Sequence, residues 1–90
     1  MNVSTVKYFL AICEERSFNK AAAANGISQP SISIAIQRLE RELGGALLNR
    51  SHNGVSLTEL GRNLRPIFKR LVRSADQACL RAAGQRARTP

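Results

Sequence analysis

Two short helical runs joined by a glycine turn constrain this chain more than any other feature. Ser17-Phe18-Asn19-Lys20-Ala21-Ala22-Ala23-Ala24 reads as one helix, and Asn25-Gly26 breaks it. Ser28-Gln29-Pro30-Ser31 then opens a second, with Ser28 as N-cap and Pro30 tolerated in the first turn. Gly26 can adopt the left-handed backbone that a sharp inter-helix turn requires. In a chain with a net charge of +8, this pattern predicts a helix-turn-helix of the kind that sets its second helix in a DNA groove.

A helical wheel at about 100° per residue sorts the second helix, Gln29 to Leu43, into two faces. Ile32, Ile36, Leu39 and Leu43 share one side and are the expected core contacts. Pro30, Ile34, Gln37, Arg38 and Arg41 fall on the other, with Ser31 and Ser33 at its edges. That second face is the one free to enter a groove.

The remaining elements complete a small domain. Val3 to Arg16 reads as a first helix, with Val6, Phe9, Leu10 and Cys13 on one apolar face. Ser17 is placed to cap the next. Gly44-Gly45 ends the Gln29–Leu43 helix. Leu47-Leu48-Asn49 and Val55-Ser56-Leu57 then flank Ser51-His52-Asn53-Gly54, a hairpin signal that predicts a small wing. Thr58 caps a long final helix whose apolar positions are Leu60, Leu64, Ile67, Leu71, Ala75, Ala78 and Ala82. Their spacing approaches the roughly 3.5-residue period of a coiled-coil seam. Pro66 is expected only to kink this helix, and Gly84 to stop it, leaving Gln85 to Pro90 as a tail. Running to Ala83, the helix would span roughly 39 Å, more than one protomer's body can cover. We therefore expect residues 1–57 to form the winged helix-turn-helix and 58–90 the linker helix, with Leu64, Ile67, Leu71 and Ala75 as dimer contacts.

Charge distribution narrows the partners. Residues 1–57 carry six basic and four acidic groups, whereas 58–90 carry eight basic groups against Glu59 and Asp76. Such an excess favours polyanions, either nucleic acid or an anionic membrane surface. Cys13 and Cys79 have no CxxC or Cys/His spacing and read as reduced thiols of a cytoplasmic protein. No signal peptide precedes Val3, and no apolar run approaches the ~20 residues of a membrane span. An enzyme is disfavoured: the one histidine, His52, lies in a turn, and no paired acids, metal-ligand spacing or phosphate-cradling glycine loop is present. No cofactor is expected.

At this point the residues match a family. Tyr8-Phe9, Ser17-Phe18, Ala21-Ala22, Ser28-Gln29-Pro30-Ser31-Ile32-Ser33, Ile36, Leu39-Glu40, Leu43-Gly44, Leu47, Arg50, Leu57-Thr58 and Gly61 together resemble the N-terminal domain of LysR-type transcriptional regulators. The resemblance covers about residues 3–85. It implies a mainly α winged helix-turn-helix, three helices plus a β-hairpin wing, followed by a linker helix that pairs antiparallel in a homodimer. It also implies sequence-specific binding to an interrupted inverted repeat in double-stranded DNA. Family members normally continue into an effector domain that binds a small-molecule inducer. That domain is missing from these residues, so the chain is expected to be an excised DNA-binding fragment or a truncated gene product.

The resemblance assigns roles to single residues. Gln29 matches a base-contacting position, and its amide can pair with adenine; Pro30 and Ser31 match neighbouring contact positions. Ser28 can cap the helix and also donate to a phosphate, and Ser33 can donate to a phosphate or a base edge. Arg50 on the wing strand matches a phosphate-binding arginine, and Arg38 is expected to meet phosphate too. For Arg41, phosphate contact and a salt link to an acid such as Glu42 stay open. Three positions depart from the family. Asn25 replaces a core leucine, Leu48 a frequent phenylalanine, and Ile34 a residue that is often Arg, Lys or Gln. Ile34 is wrongly placed for a core residue, so we expect an apolar contact with a thymine methyl. The wing tip carries His52-Asn53 where relatives often carry an arginine for the minor groove.

Two rival readings use other features. The basic C-terminal helix, with Arg62, Arg65, Lys69, Arg70 and Arg73, could bind nucleic acid without sequence preference or lie on an anionic membrane, which leaves the Ser28–Ile34 pattern unused. A different winged-helix family, such as the MarR type, fits the long helix and the Ser-Gln-Pro start poorly.

Overall fold

Each helix begins where a short polar side chain can accept one of its unpaired N–H groups. In the computed structural model, which describes residues 1–88, α1 is Val3–Glu15, α2 Phe18–Ala24, α3 Gln29–Leu43 and α4 Glu59–Arg88. Asn2 Oδ1 accepts from Thr5 N at 2.8 Å, Ser17 Oγ from Lys20 N at 3.1 Å and Ser28 Oγ from Ser31 N at 3.2 Å. Thr58 Oγ1 accepts from Gly61 N at 3.0 Å and donates to the Ala46 carbonyl at 2.6 Å, tying α4 to the chain before the wing. The other ends follow backbone chemistry. Gly44 closes α3 at φ +79°, and Arg16, the one left-handed non-glycine residue among those described, closes α1 at φ +53°.

The wing is a two-stranded antiparallel hairpin, β1 (Leu48–Ser51) and β2 (Gly54–Leu57). Its register pairs Leu48 with Leu57 and Arg50 with Val55, and closes at Ser51 opposite Gly54. The turn residues are thus His52 and Asn53. Gly54, at φ +114°, belongs to the ladder rather than the tip. The strands reach closer to the turn than the apolar runs suggested, because Arg50 and Ser51 pair although neither is apolar.

One core joins all the elements. Val6, Phe9 and Ile12 of α1 meet Phe18, Ala21 and Ala22 of α2, and Ile32, Ile36 and Leu39 of α3. Leu47, Leu48 and Phe68 complete it, with the Phe9 and Phe68 rings edge to face at 5.6 Å between centroids. The α3 faces fall as the wheel predicted. On α1 the expected face needs correcting: Ile12 is fully buried, whereas Leu10 and Cys13 are only partly covered. The buried stripe runs Val6–Phe9–Ile12 because α2, α3 and α4 all press on α1.

The last helix departs most from expectation. It is continuous through Pro66, as a helix reaching Ala83 requires, but it does not stop at Gly84 and runs to Arg88; Thr89 and Pro90 of the expected tail lie outside the described residues. Pro66 sits on an exposed side of the helix, so the Arg62 carbonyl that it leaves without its usual donor can be hydrated. Gly84 lacks the positive φ that would mark a stop. Leu60, Leu64, Phe68 and Val72 pack into the core, and Asp76 reaches Lys7 at 3.6 Å. Residues 77–87 are exposed beyond that contact, and they draw the molecule out to 56 Å along its long axis.

Candidate nucleic-acid interface

The outer face of α3 is a ledge of small polar groups at the N-terminus of a helix. Ser28, Gln29, Pro30 and Ser31 are exposed, and Ser33 is partly covered. One turn on, Ile34 is 50% exposed although it is apolar. Gln37, Arg38 and Arg41 continue the exposed face toward the C-terminus. Helix N-termini present free N–H groups and a partial positive charge, which suits an approaching phosphate. Ser28 does more than cap: its hydroxyl also donates to Ser31 Oγ at 2.8 Å, so the first turn is internally fixed.

The wing brings Arg50 onto this ledge. Its Nη2 donates to Ser33 Oγ at 2.7 Å, and Gln29 Nε2 donates to the same oxygen at 3.2 Å. The guanidinium also lies over the Phe18 ring, with its central carbon 3.3 Å from the ring centroid. Gln29, Ser33 and Arg50 therefore converge at one edge of α3, on the side facing the wing. Arg38 sits on the other side, beside Met1, Asn2 and Thr5. Arg41 makes no ion pair among the described residues. The acid beside it, Glu42, pairs with the amino group of Met1.

Glu40, a motif position in the sequence, takes its purpose from its geometry. Its carboxylate accepts from Leu47 N at 2.6 Å and Leu48 N at 3.3 Å, clamping the start of the wing to α3. Such bonds to an ionised acceptor are stronger than neutral ones. Phe18, read as an apolar helix residue, is also the platform for Arg50. Neither role has a local sequence signal, because both partners lie many residues away. Asn25, the departure from a core leucine, is exposed and donates Nδ2 to the Ala21 carbonyl at 2.8 Å. It caps α2 without entering the core.

The predicted dimer positions lie on one strip of α4. Ile67 and Leu71 are 47% and 39% exposed, and Ala75 is partly covered. Leu64 is largely committed to the protomer's own core. A hollow of about 580 Å³ lies among α1, the wing and α4, and no α3 residue lines it. Cys13 borders it; burial pushes its thiol above the ordinary range, partly offset by Arg65 and Lys69. Among the described residues no group of His, Cys, Asp and Glu could hold a metal, and no helix is long and apolar enough to cross a membrane.

Comparison with known proteins agrees with this geometry. Residues 3–62 match the model of the bacterial regulatory helix-turn-helix proteins of the lysR family. The HTH-type transcriptional regulator BudR of Raoultella terrigena is 51% identical over 63 residues, 70% of this chain and 22% of that protein. BudR of Klebsiella aerogenes is 40% identical over 84 residues, 93% of this chain and 59% of the relative. The chain thus spans less than two thirds of the length of either. Among solved structures, the CbnR_DBD–DNA complex superposes with a TM-score of 0.87 at 34% identity, covering 94% of this chain and 98% of that one. The BenM_DBD complex with catB site 1 DNA does so at 0.88 and 36%, covering both chains completely. With the family model matched over most of its length, this chain belongs to the lysR family of bacterial regulatory helix-turn-helix proteins.

Proposed function

We propose that this chain is the sequence-specific DNA-binding part of a transcription regulator, with α3 in the major groove and the wing along the backbone. The observation that carries this reading is the exposed polar ledge at the start of α3, joined at its edge by Arg50. It has no use in packing, and it presents hydrogen-bonding groups of the size and reach that base edges require. Two solved structures with the same fold are complexes with DNA. Gln29 is suited to adenine, Ser33 to a base edge or phosphate, and Ile34 to a thymine methyl. Ser28, Pro30 and Ser31 lie where the backbone and first base pairs would pass, and Arg38 and Arg50 supply charge for phosphates.

The strip of exposed Ile67 and Leu71 with partly covered Ala75, and Leu64 at its rim, supports an antiparallel pairing of α4 with a second copy. A two-fold pair presents two recognition helices, so the target would be an interrupted inverted repeat. In this reading a small-molecule inducer would act through an effector domain outside these residues, in the cytoplasm where such a regulator would meet DNA.

A fluorescence anisotropy titration at two salt concentrations tests the proposal, comparing a duplex from upstream of the protein's own gene with a scrambled duplex of equal length. A preference of tenfold or more, about 1.4 kcal/mol, is expected, on top of an affinity that falls with salt. Equal affinities that collapse together would reduce the chain to a backbone binder.

A further inference from the structure

The wing arginine and the base-facing side chains form one hydrogen-bonded unit, and this points beyond a simple phosphate contact. Arg50 Nη2 lies 2.7 Å from Ser33 Oγ, a contact across seventeen positions of sequence. A guanidinium can only donate, so Ser33 must accept from it. The same oxygen accepts from Gln29 Nε2 at 3.2 Å. Both lone pairs of the Ser33 hydroxyl are thereby used, and its proton remains to donate outward. Gln29 has one N–H committed to Ser33, which leaves its second N–H and Oε1, the pair that adenine recognition uses.

The unit is anchored from behind. Phe18 is 8% exposed and fixed in the core, and the Arg50 guanidinium stacks on its face. Glu40 holds Leu47 and Leu48, so the strand bearing Arg50 is itself tied to α3. Core, Phe18, Arg50, Ser33 and Gln29 make an unbroken chain of contacts. An isolated, exposed glutamine would sample many rotamers and lose that freedom on binding. Here much of that ordering is in place beforehand.

We propose that Arg50 is a positioning residue for base readout: through Ser33 it orients Gln29, so that the sequence preference of α3 depends on the wing. The inference rests on the DNA-binding reading above. Its remaining N–H groups can still meet a phosphate, and that role makes a different prediction. Loss of a phosphate contact weakens binding uniformly across sequences and lowers the salt slope by about one. Loss of positioning weakens discrimination at one base pair.

The test begins with the 90-residue chain selecting duplexes from a randomised pool. Gln29→Ala then identifies the base pair at which preference is lost. Anisotropy on the selected duplex and its variants at that pair is compared for the wild type, Arg50→Lys, Ser33→Ala and the double variant. Lysine keeps the charge but not the planar fork or the stack. We expect Arg50→Lys to cut the preference at the Gln29 pair about tenfold while preferences elsewhere persist. Ser33→Ala should cut the preference at that pair as well, and there the double variant should lose no more than either alone. In the free protein, NMR relaxation of the Gln29 side-chain amide should show restricted motion that Arg50→Lys releases. A uniform loss of affinity for every duplex, with that amide mobile in the wild type, would overturn the positioning role and leave DNA binding intact. A wild type that selects nothing from the pool would take down the DNA-binding reading, and this inference with it.

Discussion

Gly61→Ala should destabilise the domain although alanine is the better helix former. Gly61 is buried in the first turn of α4. A Cβ built there would overlap the Leu47 carbonyl oxygen deeply and stand 3.0 Å from Leu57 Cδ2 and 3.1 Å from the Leu47 carbonyl carbon. The overlap is with backbone, so no side chain can swing aside. That same carbonyl accepts from Thr58 N at 3.0 Å, so pushing it away also weakens the junction between wing and helix. Overpacking of this kind costs about 1–3 kcal/mol, and the strained hydrogen bond about 0.5–1.5 kcal/mol more. The helix propensity gained returns at most about 1 kcal/mol. The net loss of roughly 0.5–3.5 kcal/mol would lower Tm by roughly 2–28 °C in a domain of this size. Gly84→Ala is the matched control on the same helix. No atom lies within 4 Å of its Cβ position, so the propensity gain stands alone, and helicity at 222 nm should rise with Tm unchanged or higher. Melting both variants at one protein concentration, since association shifts Tm, decides the matter. A Gly61→Ala protein as stable as the wild type would refute the close approach of α4 to the Leu47 carbonyl.

Other sites make separable predictions. Glu40→Ala should cost roughly 2 kcal/mol in urea denaturation by orphaning Leu47 N and Leu48 N. Glu40→Gln, whose amide oxygen still accepts, should cost clearly less; equal losses would argue against the clamp. Ile34→Ala should leave stability within about 0.5 kcal/mol, as expected for an exposed site, yet weaken binding several-fold on duplexes with thymine at the contacted position. Unchanged affinity on all duplexes would remove Ile34 from the interface. Cys13, its thiol held above the ordinary range by burial, should alkylate more slowly at pH 8 than exposed Cys79. Because the folded protein favours the neutral thiol, the associated stabilisation is complete at neutral pH and fades as pH rises through the thiol range. Faster labelling of Cys13 than of Cys79 would contradict that burial.

What the sequence made legible was local and periodic. Caps at Ser17, Ser28 and Thr58, the turn at Gly26 and the two faces of α3 each depend on residues within a few positions of one another. The misses have the opposite character. Ile12 outranks Cys13 in burial because three other elements press on α1, which no one-helix periodicity encodes. Gly84 reads as a stop, but glycine ends a helix only where the chain has reason to turn, and none arises in an exposed extension. Leu64, expected at the dimer seam, also packs against the protomer's own core together with Phe68 and Val72, a tertiary contact that the helix period alone does not reveal. Of the candidate site, the outer α3 face from Pro30 to Arg41 was visible from the wheel, and Gln29 from the family resemblance. The Arg50–Ser33 contact, the Phe18 platform and the Glu40 clamp were not, since each joins residues that meet only after the wing folds back onto α3.

The central claim is that duplex DNA lies against the start of α3 and the wing, not against the basic flank of α4. Mapping amide shifts by NMR during titration with the duplex selected from a randomised pool tests this most directly. The largest changes should fall between Ser28 and Arg38 and at Arg50. Changes concentrated at Arg62, Arg65, Lys69, Arg70 and Arg73, with the α3 amides undisturbed, would contradict it and return the binding to a basic helix that reads no sequence.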